Sequence, residues 1–223
     1  MTRIEEIYSH LVKCETLADV GCDHGYLSKM VVLGGIANKV YATDVSEKCL
    51  SKAKELLSCE IIKGVVVPVC TNGLNGLNGI DEIVIAGMGG EEIIQILSEY
   101  LSREMPKRIV LQPMKNTPKV RSFLLSNKFN LIKDYTFYYD RKFYDLIVAE
   151  PTLADFDGKR YSEIELLYGK ENIDTLPEGF VKKVKTDIKN YKTWLLSKNL
   201  KEENKEYFIN QIKLLENVLN KGK

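Results

Sequence analysis

The chain has 223 residues, of which 44% are hydrophobic, and a formal net charge of +1. This length holds one α/β domain with an appended segment, because a domain takes about 150 residues. Nothing resembles a signal peptide, and no apolar run approaches the roughly 18 residues that cross a bilayer. The five cysteines show no C-x-x-C pair and no accompanying histidine cluster, which argues against disulfides and against a metal site. We therefore expect a cytoplasmic protein without membrane contact or bound metal.

The periodicity of apolar residues predicts alternating strands and helices. In chain order, the predicted elements are a helix over 2–14, a strand over 17–21, a helix ending at 34, a strand over 40–44, a helix after 46, strands over 65–70 and 82–86, a helix from 91, a strand over 108–111, a helix from 118 and an antiparallel pair over 130–139 and 143–149. Seven strands closed by a hairpin predict the Rossmann-like α/β architecture of S-adenosylmethionine (AdoMet) methyltransferases.

The tail predicts a second unit, so we divide the chain into an α/β domain over residues 1–158 and a helical domain over residues 159–223. Apolar residues recur every three or four positions over 181–195 and again over 208–219, after a polar break at 198–203. Two such helices pair as an antiparallel hairpin, or coiled coil, that buries both stripes. Four lysines on or beside its exposed face are candidate contacts for a polyanion: Lys182, Lys183, Lys185 and Lys189. The alternative is a dimerisation or stability element with solvated lysines.

The turn after the first strand carries the first signal for a ligand. Asp19-Val-Gly21-Cys-Asp23-His24-Gly25 runs from an apolar strand into a helix. Its glycines let the backbone approach a ligand where helix amides begin. Asp44 ends the second strand about 20 residues further on, the spacing at which an acidic side chain accepts ribose hydroxyls. The alternative for the turn alone is an ordinary Rossmann-like junction with a capping Asp.

The composition of this loop indicates the cofactor. Neither the G-x-G-x-x-G pattern nor a Walker Gly-Lys-Ser/Thr is present, and both serve to bind phosphates. Asp23 inside the loop would repel a phosphate, but it suits the ammonium or sulfonium of AdoMet. We interpret His24 as shaping the loop or contacting the cofactor rather than acting as a base. The cofactor-binding residues predicted in this way are Asp19, Gly21, Asp23, His24 and Asp44. Gly87 joins them from the glycine-rich segment after the fourth strand, where the backbone can approach both cofactor and base.

The glycine loop is one of four motifs that occur together. They are Asp19-Val-Gly-Cys-Asp-His-Gly-Tyr-Leu27, Ile85-Ala-Gly-Met-Gly-Gly90, Leu111-Gln112-Pro113 and Lys142-Phe143-Tyr144. Together they resemble the bacterial TrmK family, the tRNA (adenine-22-N1)-methyltransferases, and the likeness spans the whole chain, including Glu165-Leu-Leu-Tyr-Gly169 and the helical tail. The resemblance implies a Rossmann-like methyltransferase domain, a C-terminal coiled coil, AdoMet as cofactor and methyl transfer to N1 of an adenosine of tRNA.

Two departures from the family pattern change the predicted contacts. Where members usually show Gly-Asp-Gly-Leu, this chain has Thr71-Asn72-Gly73-Leu74. Asn72 can still exchange a hydrogen bond with the adenine ring, so Val45, Asn72 and Gly73 join the cofactor contacts that the resemblance implies. Met114 follows Gln112-Pro113 where members usually have Asn, and a thioether does not replace the polar contacts of an amide. Gln112, Pro113 and Lys142 remain predicted substrate contacts, together with the tail lysines.

The reaction itself needs mainly proximity and orientation, because methyl transfer from a sulfonium is an in-line displacement. Methylases of exocyclic amines commonly carry Asp/Asn-Pro-Pro-aromatic after the fourth strand, whereas this chain has Gly87-Met88-Gly89-Gly90. That difference favours a ring nitrogen, which needs little base catalysis. The predicted catalytic residues are Asp23, Gly87, Met88 and Tyr144.

Each of these interpretations has an alternative. Tyr144 and Phe143 can stack on an extruded base, or be half-buried strand aromatics. The glycine segment after the fourth strand can let the backbone approach the cofactor and the base, or it can only form a tight helix start. The whole protein is alternatively a methylase of another RNA position or of a small molecule, or a non-catalytic protein that binds AdoMet and RNA. We expect a monomer.

Overall fold

The computed structural model describes residues 1–152, 161–197 and 200–220. The strands are β1 (Cys14–Val20), β2 (Ala37–Asp44), β3 (Val66–Cys70), β4 (Glu82–Ala86), β5 (Arg108–Gln112), β6 (Phe129–Tyr139) and β7 (Lys142–Pro151). The helices are α1 (Arg3–Tyr8), α2 (Tyr26–Leu33), α3 (Glu47–Leu56), α4 (Ser58–Ile62), α5 (Gly90–Leu101), α6 (Thr117–Ser126), α7 (Glu163–Tyr168), α8 (Lys170–Thr175), α9 (Glu178–Leu195) and α10 (Glu202–Asn220). The predicted domain boundary at 158/159 and residues 198–199 of the polar break lie outside the described residues.

All seven strands form one sheet in the order β3-β2-β1-β4-β5-β7-β6. Strands β1 to β5 pair in parallel, and β7 runs antiparallel to both β5 and β6. Helices cover both faces, so the central strands are apolar along their length, as parallel strands buried on both sides must be. The predicted seven-stranded Rossmann-like architecture with a closing hairpin is confirmed.

The two faces of the sheet have separate cores. On one face, Ile93 and Leu97 of α5 and Val120 of α6 pack against Ile83 and Ile85 of β4. On the other face, Ile7 of α1, Val31 of α2 and Leu50 of α3 pack against Val40 and Val84. This second face brings α1, the first helix of the chain, under the sheet edge where the loops after β1 and β4 begin.

The first helix is shorter than its apolar spacing predicts. A capping box between Thr2 and Glu5 starts α1, but two turns follow Tyr8, and β1 already begins at Cys14, where it pairs with Ala37. The predicted helix over 2–14 is therefore wrong in its second half. Backbone pairing with β2 decides the conformation there, since Leu11 is buried as part of a turn rather than on a helix.

The two tail helices pack against each other as the apolar stripes predict. Phe180 and Val184 of α9 meet Leu215 and Val218 of α10 in a small buried cluster. Tyr191 near the end of α9 stacks on Phe208 near the start of α10, with ring centroids 5.4 Å apart. The helices therefore run antiparallel, which confirms the predicted helical hairpin.

Buried polar contacts fix the start of the tail to the sheet. The Arg121 side chain on α6 is wholly buried, and its Nε donates to both carboxylate oxygens of Asp134 on β6 at 2.8 and 2.9 Å. Its Nη1 donates to the carbonyls of Leu166 and Leu167 at the end of α7. Asn172 accepts a hydrogen bond from the backbone N–H of Thr136 at 2.8 Å. Helices α7 and α8 are thus attached to the same unit as β6.

Candidate cofactor and substrate site

The candidate residues gather at the edge of the sheet where the parallel strands end. The chain goes outward from β1 to β3 and then returns to the other side with β4, so the order of connections reverses between β1 and β4. Ligands of open α/β sheets bind at such a switch point. A cleft lies there, lined by residues of α1, of the loop after β1 and of the end of β4: Arg3, Ile4, Asp19, Gly21, Asp23 and Ala86 among them.

The glycine loop after β1 folds as its sequence predicts. The amides of Gly21 and Cys22 both donate to the carbonyl of Thr43, at 2.8 and 2.9 Å, and so join the loop to the end of β2. Gly21 and Gly25 have φ of +71° and +77°, values that favour glycine. A Cβ on Gly25 would also lie 2.8 Å from Leu57 Cδ1. The glycines are therefore required by backbone conformation and by packing at this junction.

Asp44 lies at the end of β2 beside this loop. One of its oxygens accepts from the backbone N–H of Ser46 at 2.8 Å and the other from that of Asp23 at 3.2 Å. Each carboxylate oxygen keeps a further lone pair, so the side chain can accept two hydroxyl groups. Val45, which follows it, is 69% exposed and offers an apolar surface. Asn72 is exposed beyond the end of the neighbouring strand β3, so all three line the same part of the edge.

The two acidic residues of the loop have opposite environments. Asp19 is 5% exposed and accepts from the backbone N–H and the hydroxyl of Ser28, at 3.2 and 2.7 Å. Burial raises the pKa of Asp19 to about 6, and the two hydrogen bonds oppose this only in part. Asp23 is exposed, and its hydrogen bond with His24 holds its pKa below the usual range. A cationic ligand group would therefore stabilise the charged form of Asp19 in particular.

His24 uses both ring nitrogens inside this region. Its Nδ1 lies 2.7 Å from an oxygen of Asp23, its Nε2 lies 3.1 Å from Nζ of Lys52, and its ring stacks on Tyr26 at 5.8 Å. These contacts agree with the interpretation that His24 shapes the loop.

The glycine segment after β4 joins the loop after β5 by backbone hydrogen bonds. Gly87 N–H donates to Gln112 O, Met114 N–H to Met88 O and Gly90 N–H to Lys115 O, all at 2.9 to 3.0 Å. A Cβ on Gly90 would lie 2.8 Å from the carbonyl oxygens behind it. Gly90 therefore serves the helix start, whereas Gly87 is exposed at the cleft with φ of +87°. The Met88 side chain lies directly against Gly21, so the two glycine loops are in contact.

Sequence reasoning missed Arg3, which lines the cleft and lies between Gln112, Gly87 and the ring of Tyr144. Its Nη1 donates to Gln112 Oε1 at 2.8 Å, and its guanidinium carbon is 5.9 Å from the centroid of the Tyr144 ring. The same Nη1 is 3.1 Å from where a Cβ on Gly87 would be. The only sequence signal is weak: a single cation at the first position of an otherwise acidic and apolar short helix.

Three residues that the sequence predicts to contact the substrate or to act in catalysis lie near Arg3, namely Gln112, Pro113 and Tyr144. Gln112 and Pro113 are buried, so they support neighbouring groups rather than present their side chains to solvent. Tyr144 is half-buried and stacks on Phe137 with centroids 5.4 Å apart. Tyr144 is therefore a half-buried strand aromatic with Arg3 over its ring, and its stacking on an extruded base stays a prediction.

The predicted basic face divides into two kinds of lysine. Lys182, Lys185 and Lys189 are exposed on one side of α9, and Lys182 Nζ lies 3.3 Å from the centroid of the Tyr138 ring on β6. Lys183 is half-buried and pairs with Asp187 at 2.8 Å. Lys142 is exposed beside the turn between β6 and β7. The exposed row on α9 therefore approaches the β6–β7 hairpin through Lys182.

The described part of the chain offers neither a cluster of metal ligands nor a membrane-spanning helix. Within residues 1–152, 161–197 and 200–220, no group of three or more His, Cys, Asp and Glu side chains is arranged to hold a metal ion. Over the same ranges, no helix combines the length and the apolar character of a membrane span.

Comparison with known proteins agrees with the fold and the motifs. Residues 1–147 match the family described as a methyltransferase domain. The tRNA (adenine(22)-N(1))-methyltransferase of Bacillus subtilis is 28% identical over 161 residues, which cover 70% of this chain and 68% of that protein. Against the curated relatives that it matches, the chain spans between 63% and 68% of their length.

Two solved structures extend the likeness to the tail. The crystal structure of the B. subtilis m1A22 tRNA methyltransferase TrmK has 25% identity and a TM-score of 0.81 and is covered over 97% of each chain. Streptococcus pneumoniae Sp1610, solved in complex with S-adenosyl-L-methionine, has 25% identity and a TM-score of 0.85, with 98% of this chain and 100% of that chain covered. This chain therefore belongs to the methyltransferase-domain family, and its resemblance to the TrmK family is confirmed.

Proposed function

We propose that this protein transfers a methyl group from AdoMet to N1 of adenosine 22 in tRNA. The observation that carries the proposal is the cleft at the β1–β4 switch point, which Asp19, Gly21 and Asp23 line, with Asp44 beside it, where it accepts a hydrogen bond from the backbone N–H of Asp23. This site lies in a fold that matches a tRNA methyltransferase of that specificity over the α/β domain and the helical hairpin alike.

The residues in and beside the cleft fit AdoMet better than a nucleotide with phosphates. Asp44 has lone pairs for the two ribose hydroxyls, and exposed Val45 and Asn72 offer an apolar surface and an amide for the adenine ring. Asp19 and Asp23 supply negative charge where a phosphate would be repelled and an ammonium attracted. When bound, the cofactor supplies an electrophilic methyl group on a sulfonium.

The part of the site that receives the adenine base has to orient the base rather than transfer a proton. N1 of adenine has a free lone pair at neutral pH and carries no proton that must leave, so the reaction needs no general base. This agrees with His24, whose ring nitrogens are both engaged. N1 lies on the pairing edge of the base, so adenosine 22 must be unpaired to react. Gly87 leaves room for its approach, beside Met88, Asp23 and the ring of Tyr144.

The exposed lysines are the proposed contacts with the tRNA body. Lys142 and the row of Lys182, Lys185 and Lys189 lie on the side of the molecule that carries the β6–β7 hairpin. Contacts of lysine with phosphates position an RNA without reading its sequence. The choice of nucleotide then depends on how the body of the tRNA presents adenosine 22 to the cleft. The predicted monomer and the cytoplasmic location remain predictions.

Mass spectrometry of digested tRNA tests the proposal. Unmodified tRNA transcripts with adenosine or guanosine at position 22 are incubated with the protein and AdoMet. We expect N1-methyladenosine at position 22 of the first transcript alone. Methylation at another nucleotide would overturn the assigned position. Cofactor and tRNA binding without any methylated product would favour the non-catalytic alternative.

A further inference from the structure

We propose that Tyr138 and Phe143, on the hairpin of β6 and β7, form a stacking site for one unpaired base of the RNA substrate. The inference rests on the proposed function for the identity of that RNA. It goes further because it adds a contact with a base to the contacts of lysines with phosphates. Lys182 covers the site in the free protein and moves to a phosphate when the base enters.

The hairpin extends beyond the edge of the sheet at which the cofactor cleft lies. β7 pairs with β5 as far as Leu111, which lies opposite Ile147, and β5 ends one residue later at Gln112. Phe143 is four positions before Ile147 in the sequence, which is about 13 Å along a strand. The pair of Tyr138 and Phe143 therefore lies past the end of β5, on the side from which an RNA reaches the cleft.

Two aromatic pairs lie on opposite faces of this hairpin. Phe137 is opposite Tyr144, and the next pair in the register is Tyr138 with Phe143. Side chains of successive strand residues alternate between the two faces of a sheet. Tyr144 lies under Arg3, which lines the cleft, so the other pair faces away from it. The base that stacks there is therefore not the adenosine that receives the methyl group.

The pair is held in place and is open to solvent. Its ring centroids are 5.0 Å apart, and Tyr138 is 38% exposed. Asp140 and Arg141, the two residues of the turn, have φ of +44° and +62°, which matches the twist of a two-residue hairpin. Because the hairpin fixes the rings before the RNA arrives, stacking requires little ordering of the protein.

A basic groove leads from this pair along α9. One part of it is lined by residues 135–138 of β6 together with Glu178 and Lys182, and the next part by Glu178, Lys182, Lys185 and Lys189. Glu178 and Lys182 line both parts, so the groove is continuous. Three lysines against one glutamate favour a polyanion. Aromatic rings beside a basic groove are the combination that binds unpaired nucleic acid.

Lys182 occupies the place that the base would take. Its Nζ lies 3.3 Å from the centroid of the Tyr138 ring. Within the described part of the chain, no carboxylate pairs with Lys182, whereas Asp187 pairs with the neighbouring Lys183. A cation over an exposed ring contributes about two- to fivefold to an equilibrium, whereas a base stacked on an aromatic side chain contributes about 5- to 150-fold. The base therefore displaces the ammonium, which then binds a phosphate of the same strand.

Binding of two RNAs, followed by fluorescence anisotropy over a range of salt concentrations, tests the proposal. The probes are unmodified tRNA and a fully paired RNA duplex, which presents no unpaired base. For Tyr138→Ala we expect the affinity for tRNA to fall about 5- to 150-fold. The slope of log affinity against log salt should stay the same, because stacking releases no counterions. The affinity for the duplex should not change.

Lys182→Ala should give the opposite signature. It removes a phosphate contact, so the slope of log affinity against log salt for tRNA should become flatter. The ring of Tyr138 remains available in this variant, so the preference for tRNA over the duplex should be retained.

Three further variants separate stacking from folding. Tyr138→Phe keeps the ring and should bind tRNA as the wild type does. Tyr138→Leu keeps an apolar side chain without an aromatic face and should share the loss seen in Tyr138→Ala. Ile132→Ala is the matched control, since Ile132 lies on the same strand and is 37% exposed, and it should leave both affinities unchanged. Thermal melting reports whether each variant is folded.

Each outcome either supports or overturns the stacking site. Unchanged tRNA affinity in a folded Tyr138→Ala or Tyr138→Leu variant overturns it, and the pair is then only a packing element of the hairpin. An equal loss for tRNA and duplex, or binding of neither RNA by the wild type, also overturns it. If the wild type binds tRNA without methylating it, the proposed function fails, while the comparison of the Tyr138 variants still decides whether a base stacks there.

Discussion

At the scale of single residues, the carboxylates in and beside the cleft have different tasks. Asp44 is half-buried, and backbone amides of Asp23 and Ser46 orient it. Asp19 is buried and has only Ser28 as a hydrogen-bond partner among the described residues. The first is therefore suited to neutral hydroxyl groups, and the second to a cation that offsets its desolvation.

Asp44→Ala should weaken AdoMet binding by about 1 to 3 kcal/mol, since two ribose hydroxyls lose a charged acceptor. Calorimetry of the folded variant measures the change. Glu47→Ala is the matched control, because Glu47 is an exposed carboxylate three residues away that pairs with Lys54. If Asp44→Ala binds AdoMet as tightly as Glu47→Ala does, Asp44 is not part of the site.

AdoMet affinity should depend on pH through Asp19. Burial raises the pKa of this carboxyl to about 6 in the free protein, and a bound ammonium favours its ionised form. Affinity should therefore be constant above pH 6 and fall below it, by up to about tenfold per pH unit, because the group must first lose its proton. Titrations between pH 5 and 8 measure this, and Asp19→Asn should remove the dependence. A flat profile for the wild type would mean that no cation meets Asp19.

At the scale of elements, the loops after β4 and β5 behave as one unit. Backbone hydrogen bonds join Gly87 to Gln112 and Gly90 to Lys115, and Met88 connects this unit to Gly21 of the loop after β1. A change in one loop therefore reaches the other two.

Gly87→Val should abolish methyl transfer and leave the fold intact. The residue has φ of +87°, and an added side chain would also press on Arg3. The branched side chain would fill the space between the cofactor and the base. Turnover assays combined with melting measure both effects. Gly64→Val is the matched control, since Gly64 has φ of +72° with no atom within 4 Å of an added Cβ. Retained turnover in Gly87→Val would mean that the base approaches elsewhere.

The exposed row on α9 should act through phosphates. Replacing Lys182, Lys185 and Lys189 together by Ala should weaken tRNA binding and flatten the slope of log affinity against log salt. The slope should change by up to about 0.9 for each duplex phosphate that these lysines neutralise in the wild type. Lys183→Ala should change the slope little, because Asp187 already pairs with that lysine. An unaltered slope in the triple variant would make this row an ordinary solvated surface.

At the scale of the whole molecule, the tail is attached to the sheet by buried polar groups. Gly169 has φ of +90°, and a Cβ on it would lie 2.8 Å from Asp134 Oδ1. Asn172 is buried and satisfies the backbone N–H of Thr136. A chain that ended before Gly169 would leave these groups without partners, so the helical hairpin cannot be removed there without cost to the sheet.

Arg121→Met should destabilise the protein by about 3 to 5 kcal/mol, because it leaves Asp134 buried without its partner. Denaturant unfolding followed by circular dichroism measures the change. The double variant Arg121→Met, Asp134→Leu removes both charges and should recover part of the stability. If the single variant is as stable as wild type, the Arg121–Asp134 pair does not hold α6, β6 and α7 together.

The sequence by itself determined the type of fold and the part of the site that the loop after β1 and Asp44 form. Apolar spacing predicted the strands and the helical hairpin, because burial on one or both faces imposes that spacing. The glycine loop and Asp44 were recognisable because their spacing along the chain reflects the length of a strand, a helix and a second strand. The boundaries of α1 and β1 were less accurate, because pairing with β2 extends β1 to Cys14.

Only the tertiary structure decided which side chains meet in the cleft. Arg3 and Gln112 are 109 positions apart, and no local pattern marks either as a partner of the other. Likewise, only the structure shows that Lys183 pairs with Asp187 and that Gln112 is buried. Neither side chain is therefore the freely exposed substrate contact that the sequence predicts. Periodicity records whether a residue faces the core, whereas contacts between distant elements depend on how these elements pack, and that packing has no signature in the local sequence.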